Sequence, residues 1–318
     1  MYLLYDCFTE SNSFTSASEA VLRTLDIDQV KLEGGEGFKY HGGYYGRVGR
    51  IESFVFANVY NIWLAVKKGA ILLALEEDSY ANLVCALSFV YNNEAISEFL
   101  SKELQAQNLE LDINSLHKHI AYFPSVIATK LDELSRLVKL RFSPSAVAAS
   151  DNGIGNGGNL TSALPLISRR YASHTGGFST CLYYSNRHYD CGLNGEYEKL
   201  GALFSLMGLK AFEMPFSLES YTHLLAHNEE LAYQKSGELL YAGIDLGVDF
   251  LCTFSDSVRD MFDSRFKLCT KHCGRDKIEI PTLHLAQIIL LSLDKAKESG
   301  IDSNRVRPNF VLESPRAS

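Results

Sequence analysis

The chain has 318 residues, 46% of them hydrophobic and 21% charged, which describes a globular protein with room for a large core and excludes collagen-like, coiled-coil and wholly disordered classes. Thirty Lys and Arg against 38 Asp and Glu leave a net charge of -8, which argues against a nucleic-acid groove, because phosphate neutralisation needs a concentrated basic face. Seven cysteines, an odd number without a C-x-x-C pair, fit neither a disulfide framework nor a zinc ribbon and point to a reducing cytoplasm. The N-terminus lacks the basic start of a cleaved signal, and Lys67, Lys68, His284 and Gln287 interrupt the two longest apolar stretches, so no membrane span is expected.

In chain order, residues 2–5 read as a short strand and the periodic stretch 17–25 as a helix; Gln29 to Leu32 alternates as a strand. Residues 34–49 hold seven glycines among Lys39, Tyr40, His41, Tyr44 and Tyr45 and form a long loop. A helix over 51–68 ends at Gly69 and feeds a buried strand over 70–75. The turn Glu76, Glu77, Asp78, Ser79 then leads into a helix over 80–91, with further helices at 93–106, 113–121 and 124–137, and residues 138–142 begin a new strand. Residues 147 to about 190 are Gly- and Tyr-rich and read as an insertion.

The second half repeats the order of the first. Leu25, Ile27, Val30 and Leu32 correspond at identical spacing to Met207, Leu209, Phe212 and Met214, and Gly69 to Leu73 correspond to Gly247 to Leu251. Strands alternating with helices, twice over, predict an α/β fold of two pseudo-symmetric repeats with mainly parallel sheets. The boundaries expected are a first repeat at 1–112, a helical connector at 113–137, a second repeat at 138–303 and a loose tail at 304–318.

The phrases Leu4 to Cys7, Ala65 to Leu75 with Tyr80, Gly247 to Leu251, Ile280 to Gln287 and Ser299 to Val306 resemble the heterodisulfide reductase B-like family, the two-repeat cysteine-rich CCG domain proteins. In that family each repeat places a cysteine after its first strand, C-C-G after its second and C-P-x-C after its third, and these cysteines hold iron–sulfur clusters. The resemblance puts the first C-P-x-C on Glu76 and Ser79 and the second on Ser255 and Val258. The C-C-G positions fall near Gly37 and Phe38, and near Ser220 and Tyr221. The leading cysteines fall on Cys7 and about Ala146, with Cys181 the alternative to Ala146. Only Cys7 keeps its thiolate, and one thiolate cannot hold a cluster. The resemblance therefore implies the family scaffold without its electron-transfer centre, and no cofactor is expected.

Other chemistry is weighed against plainer readings. Gly153, Gly155 and Gly158 satisfy G-x-G-x-x-G, but no strong strand feeds them and Pro165 falls in the helix that should follow, so a loop is the better reading. Cys269, His272 and Cys273, with His284, are soft ligands at a spacing not standard for zinc; helix-end residues and a core histidine are preferred. Glu76, Glu77 and Asp78 sit where open α/β sheets bind ligands and where a carboxylate can act as a base, yet Asp78 or Ser79 as a helix cap explains them more simply, and Ser255 to Ser257 reads the same way. The tyrosines 40, 44, 45, 183, 184 and 189 are candidates for a surface that packs over, or recruits a partner to, the vacated clefts. The expected function is a cluster-less accessory or interaction subunit of a redox complex, with a protein partner or a homo-oligomer. The alternatives are a redox enzyme using Cys7 and other cysteines, and a metabolite-binding enzyme at the acidic turn.

Overall fold

The computed structural model describes residues 1–5, 12–32, 36–138, 178–183, 200–214, 221–275 and 278–309. Strands β1 (Tyr2–Tyr5), β2 (Gln29–Val30), β3 (Ile71–Ala74) and β4 (Ile120–Tyr122) form one sheet in the order β2-β1-β3-β4. Strands β5 (Ser179–Tyr183), β6 (Lys210–Glu213), β7 (Phe250–Thr253) and β8 (Thr282–His284) form a second in the order β6-β5-β7-β8. Every pairing is parallel. The two α/β units thus share one strand order, as the repeated pattern predicts.

Matched turns underlie that match. Asp26 (φ 50°) follows helix α1 (Asn12–Thr24) in the left-handed region, and the next residue, Ile27, donates its N–H back to Leu22 O at 3.0 Å. Gly208 (φ 73°) follows helix α7 (Leu200–Leu206), and Leu209 donates to Phe204 O at 2.9 Å. The same i to i−5 bond satisfies an orphan carbonyl at each helix end and aims the chain into β2 or β6.

Helix α2 (Ile51–Lys67) buries Val55, Val59, Ile62 and Leu64 and ends before Gly69 (φ 63°), from which the chain enters β3. Helices α3 (Glu77–Asn92) and α4 (Glu94–Ala106) follow, the latter capped by Asn93 Oδ1 accepting from Ile96 N–H at 3.2 Å. Three expectations are corrected beyond this point. The helix expected over 113–121 is a 3-10 stretch, Ile113–His119, running into β4, so the proposed connector contributes an edge strand to the first sheet. The helix expected over 124–137 is two, α5 (Phe123–Ala128) and α6 (Leu131–Leu137), separated at Thr129 and Lys130. The strand that leads the second sheet is β5, which lies inside the stretch read as an insertion; residues 139–142, where a strand was expected, lie outside the described residues.

In the second unit, helices α8 (Glu229–Asp245), α9 (Asp256–Arg259), α10 (Phe266–Cys273) and α11 (Leu285–Ser292) complete the layers, with a π-helical turn at Asp260–Ser264. All eight residues of α11 are buried. Five of them are Leu or Ile, each contributing about 1.5–3 kcal/mol of burial. The cluster around α11 joins both units: Phe14, Leu22, Leu73 and Phe123 of the first pack with Phe204, Phe250, Leu283 and Ile288 of the second.

Candidate functional site

Parallel strands end together, so the turns after β3 and β7 both lie at the carboxyl ends of their sheets, and there the two units meet. Glu76 follows β3 and is buried; its Oε1 accepts from Ser79 Oγ at 2.7 Å and its Oε2 accepts the backbone N–H of Asp256 at 3.1 Å. Asp78 Oδ2 accepts from Ser255 Oγ at 2.6 Å and from Ser257 Oγ at 2.9 Å. Glu77 N–H donates to Phe254 O at 2.9 Å, a main-chain link between the same two turns. Burial, followed by the charge of Asp78, pushes the Glu76 carboxyl well above the usual range, although the bond from Ser79 opposes this.

The capping roles expected here are not taken up: Asp78 and Ser255 bond across the units, and Ser79 bonds to Glu76. Helix α3 starts at Glu77, which puts Asp78 and Ser79 inside its first turn, and Glu76 at the N-cap makes no side-chain cap. Ser255 stands at the N-cap of α9 but likewise makes no side-chain cap, giving its hydroxyl to Asp78 instead. The acidic residues remain at a helix N-terminus, where its dipole favours them.

A residue that sequence reasoning did not nominate completes the site. His41, buried in the Gly-rich loop, accepts at Nδ1 from Gly43 N–H at 3.1 Å and from the Asn82 side-chain amide. Two donors at Nδ1 put the ring proton on Nε2, which faces Ser79 Oγ at 3.5 Å. A polar chain thus runs from Asp256 through Glu76 and Ser79 to His41. The available signal was one histidine followed by Gly42 and Gly43, where the backbone turns through φ 84° and 56°.

The same loop reaches the second unit again, where Tyr45 Oη donates to His223 O at 2.8 Å and the ring stands edge-on to His227. Tyr40 is exposed and stacks on His41. Tyr183, expected in a surface patch, is instead buried in β5 against Phe262, because the stretch that holds it is a core strand. Tyr184 and Tyr189 lie outside the described residues.

Of the positions drawn from the family pattern, Glu76, Ser79 and Ser255 converge at the junction, whereas Val258 is buried in the core of the second unit. Phe38 packs edge-on against Tyr5, Gly37 is exposed, and Tyr221 (φ 57°) precedes the 3-10 turn Thr222–Ala226. Cys7, Ala146, Ser220, Gly153, Gly155 and Gly158 lie outside the described residues. Cys181 sits within β5.

The soft-ligand group does not assemble. Cys269 is buried with Sγ against Met261, and burial pushes its thiol up to about 12. His272 stacks on Tyr233, and Cys273 Sγ lies 3.4 Å from Gln234 O. His284 stands apart on β8, where its Nδ1 accepts from Ala286 N–H at 3.2 Å and Gln287 Oε1 accepts from His284 N–H at 3.0 Å, a capping box for α11. Among the described residues no three His, Cys, Asp or Glu side chains are grouped as metal ligands.

Residues 221–305 match the family model of the HdrB-like C-terminal domain. That stretch contains two of the phrases that carry the sequence resemblance, at 247–251 and 280–287, and all but the last residue of a third, at 299–306, so the chain carries an HdrB-like domain there. A crystal structure of a hypothetical protein from Helicobacter pylori has the same fold, with a TM-score of 0.68 and 23% identity. The superposition covers 96% of this chain and 52% of that one, so this chain spans about half the length of that relative. Comparison with curated proteins gives no match.

Proposed function

We propose that this chain, with its HdrB-like C-terminal domain, is an HdrB-related accessory or interaction subunit of a cytoplasmic redox complex, and that it works without an iron–sulfur cluster. One observation carries this reading: Glu76, Ser79 and Ser255, at the positions the family pattern gives to thiolates, are hydrogen-bonded into a link between the two units. Hydroxyls and a buried carboxyl do not supply the soft anionic sulfur that iron–sulfide chemistry requires, and Val258 supplies no donor at all. The donor set does not fit a cluster. The loop at 41–45 packs against the second unit through Tyr45, while the neighbouring Tyr40 is exposed, which supports a partner-binding surface there.

Both alternatives have specific features against them. Burial, then the neighbouring Cys181, pushes the Cys252 thiol up, and burial does the same at Cys269, which opposes thiolate chemistry at either. At the acidic turn the carboxyl groups of Glu76 and Asp78 are engaged by Ser79, Ser255, Ser257 and the Asp256 N–H.

Iron and sulfide analysis of anaerobically purified protein, with its visible spectrum, tests the cluster-less reading: a colourless protein with negligible iron is expected, and a brown one with near-stoichiometric iron sinks it. For the subunit reading, tagged protein from the native host should co-purify with a redox protein that recovers this chain in the reciprocal experiment. A monomer carrying only a bound metabolite would favour an enzyme.

A further inference from the structure

Arg259 and His284 carry hydrogen-bond donors that neither the junction nor the core uses. Arg259, at the end of α9, is 9% exposed. Its Nε donates to Asp256 Oδ1 at 3.2 Å, while among the described residues neither Nη group has a hydrogen bond or ion pair. Neither Nη is among the fully buried unpaired atoms of the described residues, so the outer edge of this recessed guanidinium faces solvent, where an incoming acceptor can reach it.

His284 presents the same situation on the adjoining strand. It is 1% exposed and lies opposite Thr253 in the β7–β8 register. Because Nδ1 accepts the Ala286 N–H, the ring proton is on Nε2, which has no hydrogen-bond partner among the described residues. Helix α9 packs on β8, and the charge of Arg259 reaches the imidazole and adds to burial in holding it neutral. A neutral Nε2–H is a donor only. The nearby carboxylates are committed elsewhere, Asp263 to the N–H groups of Arg305 and Val306 and Asp256 to the Nε edge.

His284 ends β8 and Arg259 lies in the short helix that follows β7, the side of a parallel sheet on which open α/β folds seat small ligands. We infer that Arg259 and His284 form a binding site for a small oxyanion, the carboxylate or phosphate group of a metabolite, at the strand ends of the second sheet. The Nη edge of Arg259 supplies a bidentate fork that suits either group, and His284 Nε2–H adds a neutral donor. Asp256 fixes the fork by its other edge. This inference goes beyond the subunit reading and does not depend on it, since iron content has no bearing on anion affinity.

Isothermal titration of the full chain with sodium phosphate, and separately with sodium acetate, at an ionic strength fixed by sodium chloride tests the site. Saturable binding of at least one anion is expected, and the preferred one tells a tetrahedral from a planar group. Arg259→Lys keeps the charge and loses the fork, so binding should weaken by roughly tenfold or more. His284→Asn keeps an acceptor for the α11 cap and removes the Nε2 donor; it should weaken binding several-fold with the unfolding midpoint nearly retained. No saturable binding of either anion by the wild-type chain, or wild-type affinity in both variants, overturns the inference. The histidine variant keeps the test decisive if the arginine variant fails to fold.

Discussion

Ser255 Oγ donates to Asp78 Oδ2 at 2.6 Å across 177 positions of sequence, and the same carboxylate oxygen also accepts from Ser257. One side chain of the first unit therefore holds both hydroxyls of the second unit's turn. Asp78→Ala should lower the unfolding free energy by about 2 kcal/mol, from two bonds to a charged acceptor that is partly solvated. In urea unfolding, a double-mutant cycle with Ser255→Ala should give a coupling of about 1 kcal/mol or more. Additive single effects would mean that the bond contributes nothing to joining the units.

Glu76 gives the junction a pH dependence of defined sign. Its folded-state carboxyl is pushed above the ordinary 4.5, so the folded state holds the proton more tightly than the unfolded chain. The associated stability is fully present below about pH 4.5 and is lost as pH rises through the folded value. Glu76→Gln removes the titration, so the stability of the variant relative to the wild type should increase as pH rises above 4.5. A difference that stays constant over that range refutes this role.

Helices α8 and α10 cross at Gly237, where a Cβ would meet Cys269 O and lie 2.6 Å from Cys273 Sγ. Gly237→Ala should cost about 1–3 kcal/mol through overpacking. Gly247→Ala has open space around its Cβ but sits at φ 69°, so it should cost about 1 kcal/mol from backbone strain alone. Thermal unfolding with a near-ultraviolet signal separates the two, because the first disturbs packing and the second does not.

Thiol labelling provides an independent view of the cysteines. Cys181, Cys252 and Cys269 are buried, whereas Cys85 and Cys273 are half-buried. At neutral pH a maleimide should modify Cys85 and Cys273 within minutes to hours and leave the other three unmodified until the chain is unfolded, as read by peptide mass spectrometry. Rapid native labelling of Cys252 would revive the redox alternative.

Much of the architecture was legible because the local signals agree. The apolar run of α2, the left-handed Gly69 after it and the four apolar residues of β3 each point to the same helix–turn–strand unit, and Gly247 repeats the punctuation before β7. Strand β4 was not legible: three residues following a 3-10 stretch carry no alternation of their own and are strand only because β3 lies beside them. Strand β5 was hidden in the same way by its Gly- and Tyr-rich surroundings. At the site, the acidic turn was found but its role was misassigned. Capping is a local rule, and the acceptor demand that overrides it at Asp78 comes from Ser255, which only the assembled fold brings near. His41 was missed because no periodicity marks a loop residue buried by distant elements.

The hydrophobic cluster that contains Phe14, Leu73 and Phe123 is completed by Phe204, Phe250, Leu283 and Ile288. On a ribosome adding about 5–20 residues per second, the interval between residue 138 and the end of α11 lasts roughly eight to thirty seconds. Over that interval α1 and α5 have no second unit to cover them, and an emerging first unit exposes the apolar surface that α11 will later bury. Neither sheet unit is therefore an independent module to be cut out or fused elsewhere, and the joint is as much a step in biosynthesis as a feature of the finished molecule.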